Sequence, residues 1–136
     1  MPGWLRKLFR NEPVPLRGAP AVRREKTYSA QSGYVYQYFY EGYREGSRGE
    51  IEGHEYVFNV SSDRSSRFAV AVFLSRAALE PWQRANEREL TETECYAIVK
   101  MSLFQAFDER PRLGAETVDV IVTEQDITAH VETLDL

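Results

Sequence analysis

Reactive side chains are few in this sequence, and their spacing decides what each can do. Cys95 is the single cysteine. Near the start of a helix its thiol would feel the helix dipole, which lowers a thiol pKa. Its neighbours Tyr96, Ala97 and Ile98 are apolar, and a lone thiol in such company serves packing. One cysteine also excludes an internal disulfide and a multi-cysteine metal site. His54 and His130 are the only imidazoles, and they fall in different elements without the companion spacing of a metal centre. Glu50, Glu52 and Glu55 gather around a turn, while Glu87, Glu89, Glu92 and Glu94 flank a helix start. Acid–base catalysis needs a carboxyl with a raised pKa in a dry pocket. Loops and first helical turns instead hold acids where water and the helix dipole favour their charge. The glycines at 42, 46, 49 and 53 do not have the spacing of a phosphate loop. No catalytic residue, metal site or cofactor is expected.

Two constellations point to binding. Tyr34, Tyr36, Tyr38 and Tyr40 recur at a period of two, so in a strand the four rings share one face. Such a face could stack single-stranded bases or form a flat protein-binding surface, where tyrosine is enriched. It could equally pack on helices with the hydroxyls reaching the rim. The opposite face, Val35, Gln37, Phe39 and Glu41, is the more polar, which favours packing. The second constellation is residues 1–10. Trp4, Leu5, Leu8 and Phe9 interleave with Arg6, Lys7 and Arg10, a pattern that suits an anionic membrane surface or an acidic protein face.

Several elements must position these groups. The stretch Thr91–Arg110 reads as one long helix. Thr91 and Glu94 have capping-box spacing, Leu90 and Cys95 occupy the staple positions, and Pro111 ends the helix at Arg110. Its apolar residues spread so widely that burial on more than one side is expected, with Phe104 in the core. The tyrosine strand is followed by alternation from His54 to Val60 and by the apolar run Arg67–Leu74, which suits the centre of a sheet. Short turns between these three imply an antiparallel meander. Ser75 caps a short helix that Pro81 should disturb and Asn86 should end in a left-handed turn. Thr117–Val122 is a fourth strand by its β-branched density. Thr123 and Asp126 then open a final helix. The fold class is α+β: a three-strand antiparallel meander plus a fourth strand, with a long central helix and shorter helices packed mainly on one face.

Length and charge set further bounds. At 136 residues, with 43% hydrophobic and 28% charged side chains, the chain suits one globular domain. Residues 1–28 hold seven basic and two acidic side chains, a net of +5; the other ten basic and nineteen acidic residues give −9, together the net −4. Pro13, Pro15, Pro20 and Gly18 favour extended, non-helical chain. Residues 1–27 are therefore expected to be a basic, proline-rich flexible tail, dispensable for folding, before a domain over 28–136. The −9 body repels phosphate, so nucleic acid is disfavoured as a partner. No apolar run spans a bilayer and no signal-peptide pattern is present, so a cytoplasmic location is expected.

From Phe58 onward the arrangement resembles a family of short bacterial proteins of unknown function. Its members pair a hairpin with a helix start of the form SxxAL, a longer helix, and a closing strand ending in T..DI. The matching residues are Phe58, then Ser75, Ala78 and Leu79, and finally Thr123, Asp126 and Ile127. The resemblance covers about half the chain, excludes the tyrosine strand, and implies fold without chemistry. The function expected is that of a non-enzymatic module binding another protein or a second copy of itself as a homodimer. The alternative is a peripheral membrane protein held through residues 1–10, and the third reading is a small-molecule enzyme.

Overall fold

The structure, a computed structural model, describes residues 14–111, 113 and 117–136. Five strands and three helices follow in the order β1 (Lys26–Ser29), β2 (Val35–Arg48), β3 (Ile51–Ser61), β4 (Phe68–Ser75), α1 (Arg76–Ala85), α2 (Glu92–Glu109), β5 (Val118–Ile121) and α3 (Glu124–Leu134). The strands form one sheet in sequence order. The first three pairings are antiparallel, and β5 lies parallel to β4. A parallel neighbour needs a crossover, and α1 with α2 supply it. The chain is thus an α+β fold on a mixed sheet.

The sheet differs from the sequence expectation by one strand, β1, which straddles the expected boundary between the tail at 1–27 and the domain. Lys26 pairs with Tyr38 and Ser29 with Val35. Further upstream the Arg17 amide donates to the Tyr43 carbonyl at 2.9 Å, and the Tyr43 amide donates back at 2.8 Å. Proline is tolerated at a sheet edge, so a proline-rich segment remains compatible with this role. Pro81 lies inside α1 without ending it. The amide it lacks would have bonded back to Ala77 in the first turn, so a single hydrogen bond is forgone. Asn86 ends α1 at φ −104°, and the left-handed residue is Glu87 at φ 49°.

Helix starts follow the capping residues. The Thr91 hydroxyl accepts from the Glu94 amide at 3.2 Å, and the Glu94 carboxylate accepts from the Thr91 amide at 2.9 Å. Thr123 and Asp126 make the same reciprocal pair for α3, at 3.1 and 2.9 Å. Ser75 accepts from the Ala78 amide at 3.0 Å to open α1. Each such cap is worth about 1 kcal/mol.

The core lies between the sheet and the helices, and α2 supplies its middle with Ile98, Val99, Leu103, Ala106 and Phe107, all buried. Along α2, Tyr96, Lys100, Phe104 and Phe107 fall at spacings of four, four and three, one face of a helix. That face runs down β2: the Tyr96 ring meets Tyr40 at 4.8 Å, Phe104 meets Tyr38 at 5.8 Å, and Phe107 stacks on Tyr36 at 4.3 Å. Eleven residues of helix rise about 16 Å. Tyr36 to Tyr40 spans about 13 Å of strand, so ring meets ring along the seam. Tyr28 of β1 extends it, stacked on Phe104 at 4.5 Å with its hydroxyl donating to Asp108 at 2.7 Å.

On the opposite face of the sheet, Val57, Ala71 and Phe73 are buried apart from the main core. The Arg48 guanidinium lies 4.7 Å from the Phe73 ring centre and bonds both Asp119 and Glu55. Burial alone would raise the Glu55 carboxyl, but Arg44 and Arg48 overcome it and hold it below its usual range.

Phe104, expected in the core from sequence, is only partly buried, whereas Phe107 is fully enclosed. Phe107→Ala should therefore cost about 3–5 kcal/mol, and Phe104→Ala clearly less, in urea titrations of the two variants. Equal losses would show that the seam is not anchored at Phe107.

Candidate functional site

The site grows out of a single extra residue in β2. Before it, Tyr36, Tyr38 and Tyr40 face the helices, with Tyr38 paired to Val60 and Tyr40 to Phe58. The register then jumps to Gly42 against Val57, leaving Glu41 as the residue of a β-bulge. Beyond the bulge the alternation has changed phase, and Tyr43 pairs with Tyr56 on the helix side. Without the extra residue, Tyr43 would point to the opposite face. Gly42 is the one residue type that fits. Its φ is +118°, and a Cβ there would stand 2.6 Å from the Arg17 carbonyl oxygen.

Past Tyr40 the cover by α2 ends but the β2–β3 ribbon continues, so a concavity opens. It is a trough of about 1700 Å³. Its floor is the ribbon, with Tyr40, Tyr43, Tyr56 and His54. One wall comes from Leu79 and the start of α2, with Leu90, Cys95 and Tyr96. The other wall is a strap, Gly18–Glu25, which leaves β2 after the Arg17–Tyr43 bridge and rejoins it at β1. Pro20, Val22 and Arg24 of the strap line the trough. Arg23 instead reaches the Phe39 ring on the opposite face, and Glu25 pairs with Arg67 there. Successive strap residues thus face the two sides of the sheet although the chain bends at Ala21 and Val22. The Arg17 guanidinium lies 5.1 Å from the Tyr43 ring centre and fixes the strap's near end.

The trough is chemically quiet and aromatic. Burial raises the Tyr56 phenol to about 12, with Cys95 and Tyr43 adding to it, and burial likewise pushes Tyr40 up. These rings are therefore neutral phenols that present an apolar face and a hydroxyl. Burial also pushes the Cys95 thiol up, helped by Glu94 and Glu92, which is opposite to what a nucleophilic thiolate requires. His54 is exposed and stacks edge-on against Tyr43 at 5.7 Å. His130 is buried in α3, away from the trough, with its Nε2 unpartnered. Among the described residues no group of three or more His, Cys, Asp or Glu is arranged to hold a metal ion. No helix among them is long and apolar enough to cross a membrane.

The four tyrosines singled out from sequence separate here. Tyr36 and Tyr38 are buried in the core against α2, Tyr40 is half-buried at the trough's inner end, and Tyr34 is exposed at the start of the strand. They do not form one open stacking face. Trp4, Leu5, Arg6, Lys7, Leu8, Phe9 and Arg10 lie outside the described residues. Tyr43, Tyr56 and Tyr96 were missed as partners of Tyr40. Tyr43 breaks the period of two, and the signal for it was Gly42, the residue a bulge with positive φ demands. Compared with models of known protein families, with curated proteins and with solved structures, the chain matches none.

Two outcomes follow from this geometry. Gly42→Ala should cost about 1–3 kcal/mol for the strained backbone, and it should unseat Arg17 from Tyr43. Urea titration gives the first, and faster tryptic cleavage at Arg23 and Arg24 of the strap gives the second. A variant as stable and as resistant as the parent would refute the bulge as the organiser. Cys95, with its pKa raised, stays a protonated thiol through neutral pH. Its alkylation at pH 8 should run well below that of a free cysteine and reach the free rate on adding urea. Rapid alkylation of the folded protein would contradict this.

Proposed function

We propose that this chain is a protein-binding module whose trough takes a segment of a partner polypeptide. The observation that carries this reading is the trough itself. At about 1700 Å³ it exceeds the roughly 300–1,000 Å³ of small-molecule pockets. Its floor is a run of neutral tyrosines of the kind enriched at protein interfaces. Such rings supply contact area at a low entropic cost, since each has two side-chain torsions to fix. The strap adds a second wall, through Pro20, Val22 and Arg24, against which a polypeptide would lie. Self-association through the edge of the tyrosine strand is the weaker form of the reading, because β1 and Arg17 already pair with that edge.

The test selects peptides from an unbiased displayed library on the full-length protein and maps them with variants of its lining. Thr93 and His54 are exposed lining residues, so Thr93→Arg and His54→Glu alter the trough without touching the core. Selected peptides should lose about tenfold or more in affinity to both variants while the melting temperatures match the parent. Peptides that bind parent and variants alike would show that the trough is not the site.

A further inference from the structure

The trough is electrically uneven along its length. Toward the hairpin it carries charges of both signs, Glu45 and Glu52 with Arg17 and Arg76, Arg17 pairing with Glu45 at 3.8 Å, and Glu89 and Glu92 come from the helix side. At the other end stand Arg24 and Lys26, on the same side of the strap and β1. Lys26 pairs in register with Tyr38. From α2, one turn beyond the wall residue Tyr96, Lys100 reaches over the same ring, with its ammonium 5.8 Å from the centre of Tyr38 and 5.6 Å from that of Phe104. Two lysines from different elements thus converge on one tyrosine. Neither forms an ion pair among the described residues.

That convergence is unfavourable as it stands. Burial lowers the Lys100 pKa, and the adjacent Lys26 ammonium lowers it further. Like charges brought together lose stability, and a half-buried ammonium without a counter-ion loses more. The tyrosine faces offset only part of this, since a ring attracts a cation weakly. An anion placed between the two ammoniums relieves both penalties at once. It would also sit where the trough's aromatic floor begins.

We infer that Lys26 and Lys100 form a carboxylate-binding subsite, and that the partner segment enters the trough with an acidic end against them. This rests on the reading of the trough as a polypeptide site and adds the partner's chemistry and direction. Apolar or aromatic residues of the segment follow over Tyr40, Tyr43 and Tyr56. The lysine pair at one end therefore sets which end of the bound chain is acidic.

The experiment sequences the peptides selected on the full-length protein and measures their affinity for Lys26→Glu, Lys26→Arg and Lys100→Met variants at low and high salt. Aspartate and glutamate should be enriched at one end of the peptides. Lys26→Glu should weaken binding about tenfold or more, because its new carboxylate occupies the subsite and pairs with Lys100. The same variant should melt at or above the parent's temperature, which a merely damaging change would not do. Lys26→Arg should bind as the parent does, Lys100→Met should bind more weakly, and high salt should weaken the parent's binding. Peptides blocked by Thr93→Arg that show no acidic end and ignore Lys26→Glu would overturn this inference and leave the trough reading standing. Peptides indifferent to Thr93→Arg as well, or no selection at all, would overturn both.

Discussion

The stacking of β2 on α2 is the contact from which the rest of the molecule takes its positions. Tyr36 on Phe107, Tyr38 on Phe104 and Tyr40 on Tyr96 are three successive ring pairs between a strand and a helix. Each pair adds about 0.5–1.5 kcal/mol beyond the area it buries. The helix partners Tyr96, Phe104 and Phe107 share one face, and Lys100 between the first two lies over Tyr38, so the strand is met along its length from Tyr40 to Tyr36. Once that seam forms, α2 is fixed against the sheet, and the crossover must return to β4. Val118 and Val120 of β5 then lie beside Val70 and Val72. Tyr28 brings β1 into the same seam through Phe104 and Asp108. The strap is therefore held at both ends, by Tyr28 on one side and by Arg17 on the other.

The trough is a consequence of where that seam stops. β2 is 14 residues long, and α2 covers little beyond Tyr40. The bulge at Glu41–Gly42 keeps Tyr43 on the covered side after the cover has ended. The extra residue also increases local twist, which carries the ribbon away from the helices. Aromatic surface that would be core in a shorter ribbon is left lining a concavity. One strand thus has two parts, a buried half that stabilises the molecule and a projecting half that floors the trough.

Much of this was legible in the sequence where local rules act alone. The capping pairs Thr91–Glu94 and Thr123–Asp126, the stop at Pro111 and the interior strand Phe68–Ser75, which lies next to the central β3, each follow from residues within one turn or one strand. What was not legible depends on contacts between distant residues. β1 is four residues long and has no pattern of its own, since its partners are Tyr38 to Val35 and the α2 rings. The phase change at Gly42 hid Tyr43 from a reading based on a period of two. The trough and the Lys26–Lys100 pair require the register of β1 and the rotation of α2, and neither is a property of a local segment.

The central claim is that one seam holds the fold while the ribbon beyond it is only locally held. Native-state hydrogen exchange along β2 and β3 tests this directly. Amides of Tyr36 to Tyr38 and of Phe58 to Val60 should exchange only through global unfolding, with the free energy of the whole transition. Amides at the ribbon's tip, from Ser47 to Glu52, should exchange through local opening at a clearly lower free energy. Uniform protection from Tyr36 to the tip, or faster exchange at Tyr36 than at Ser47, would contradict the account.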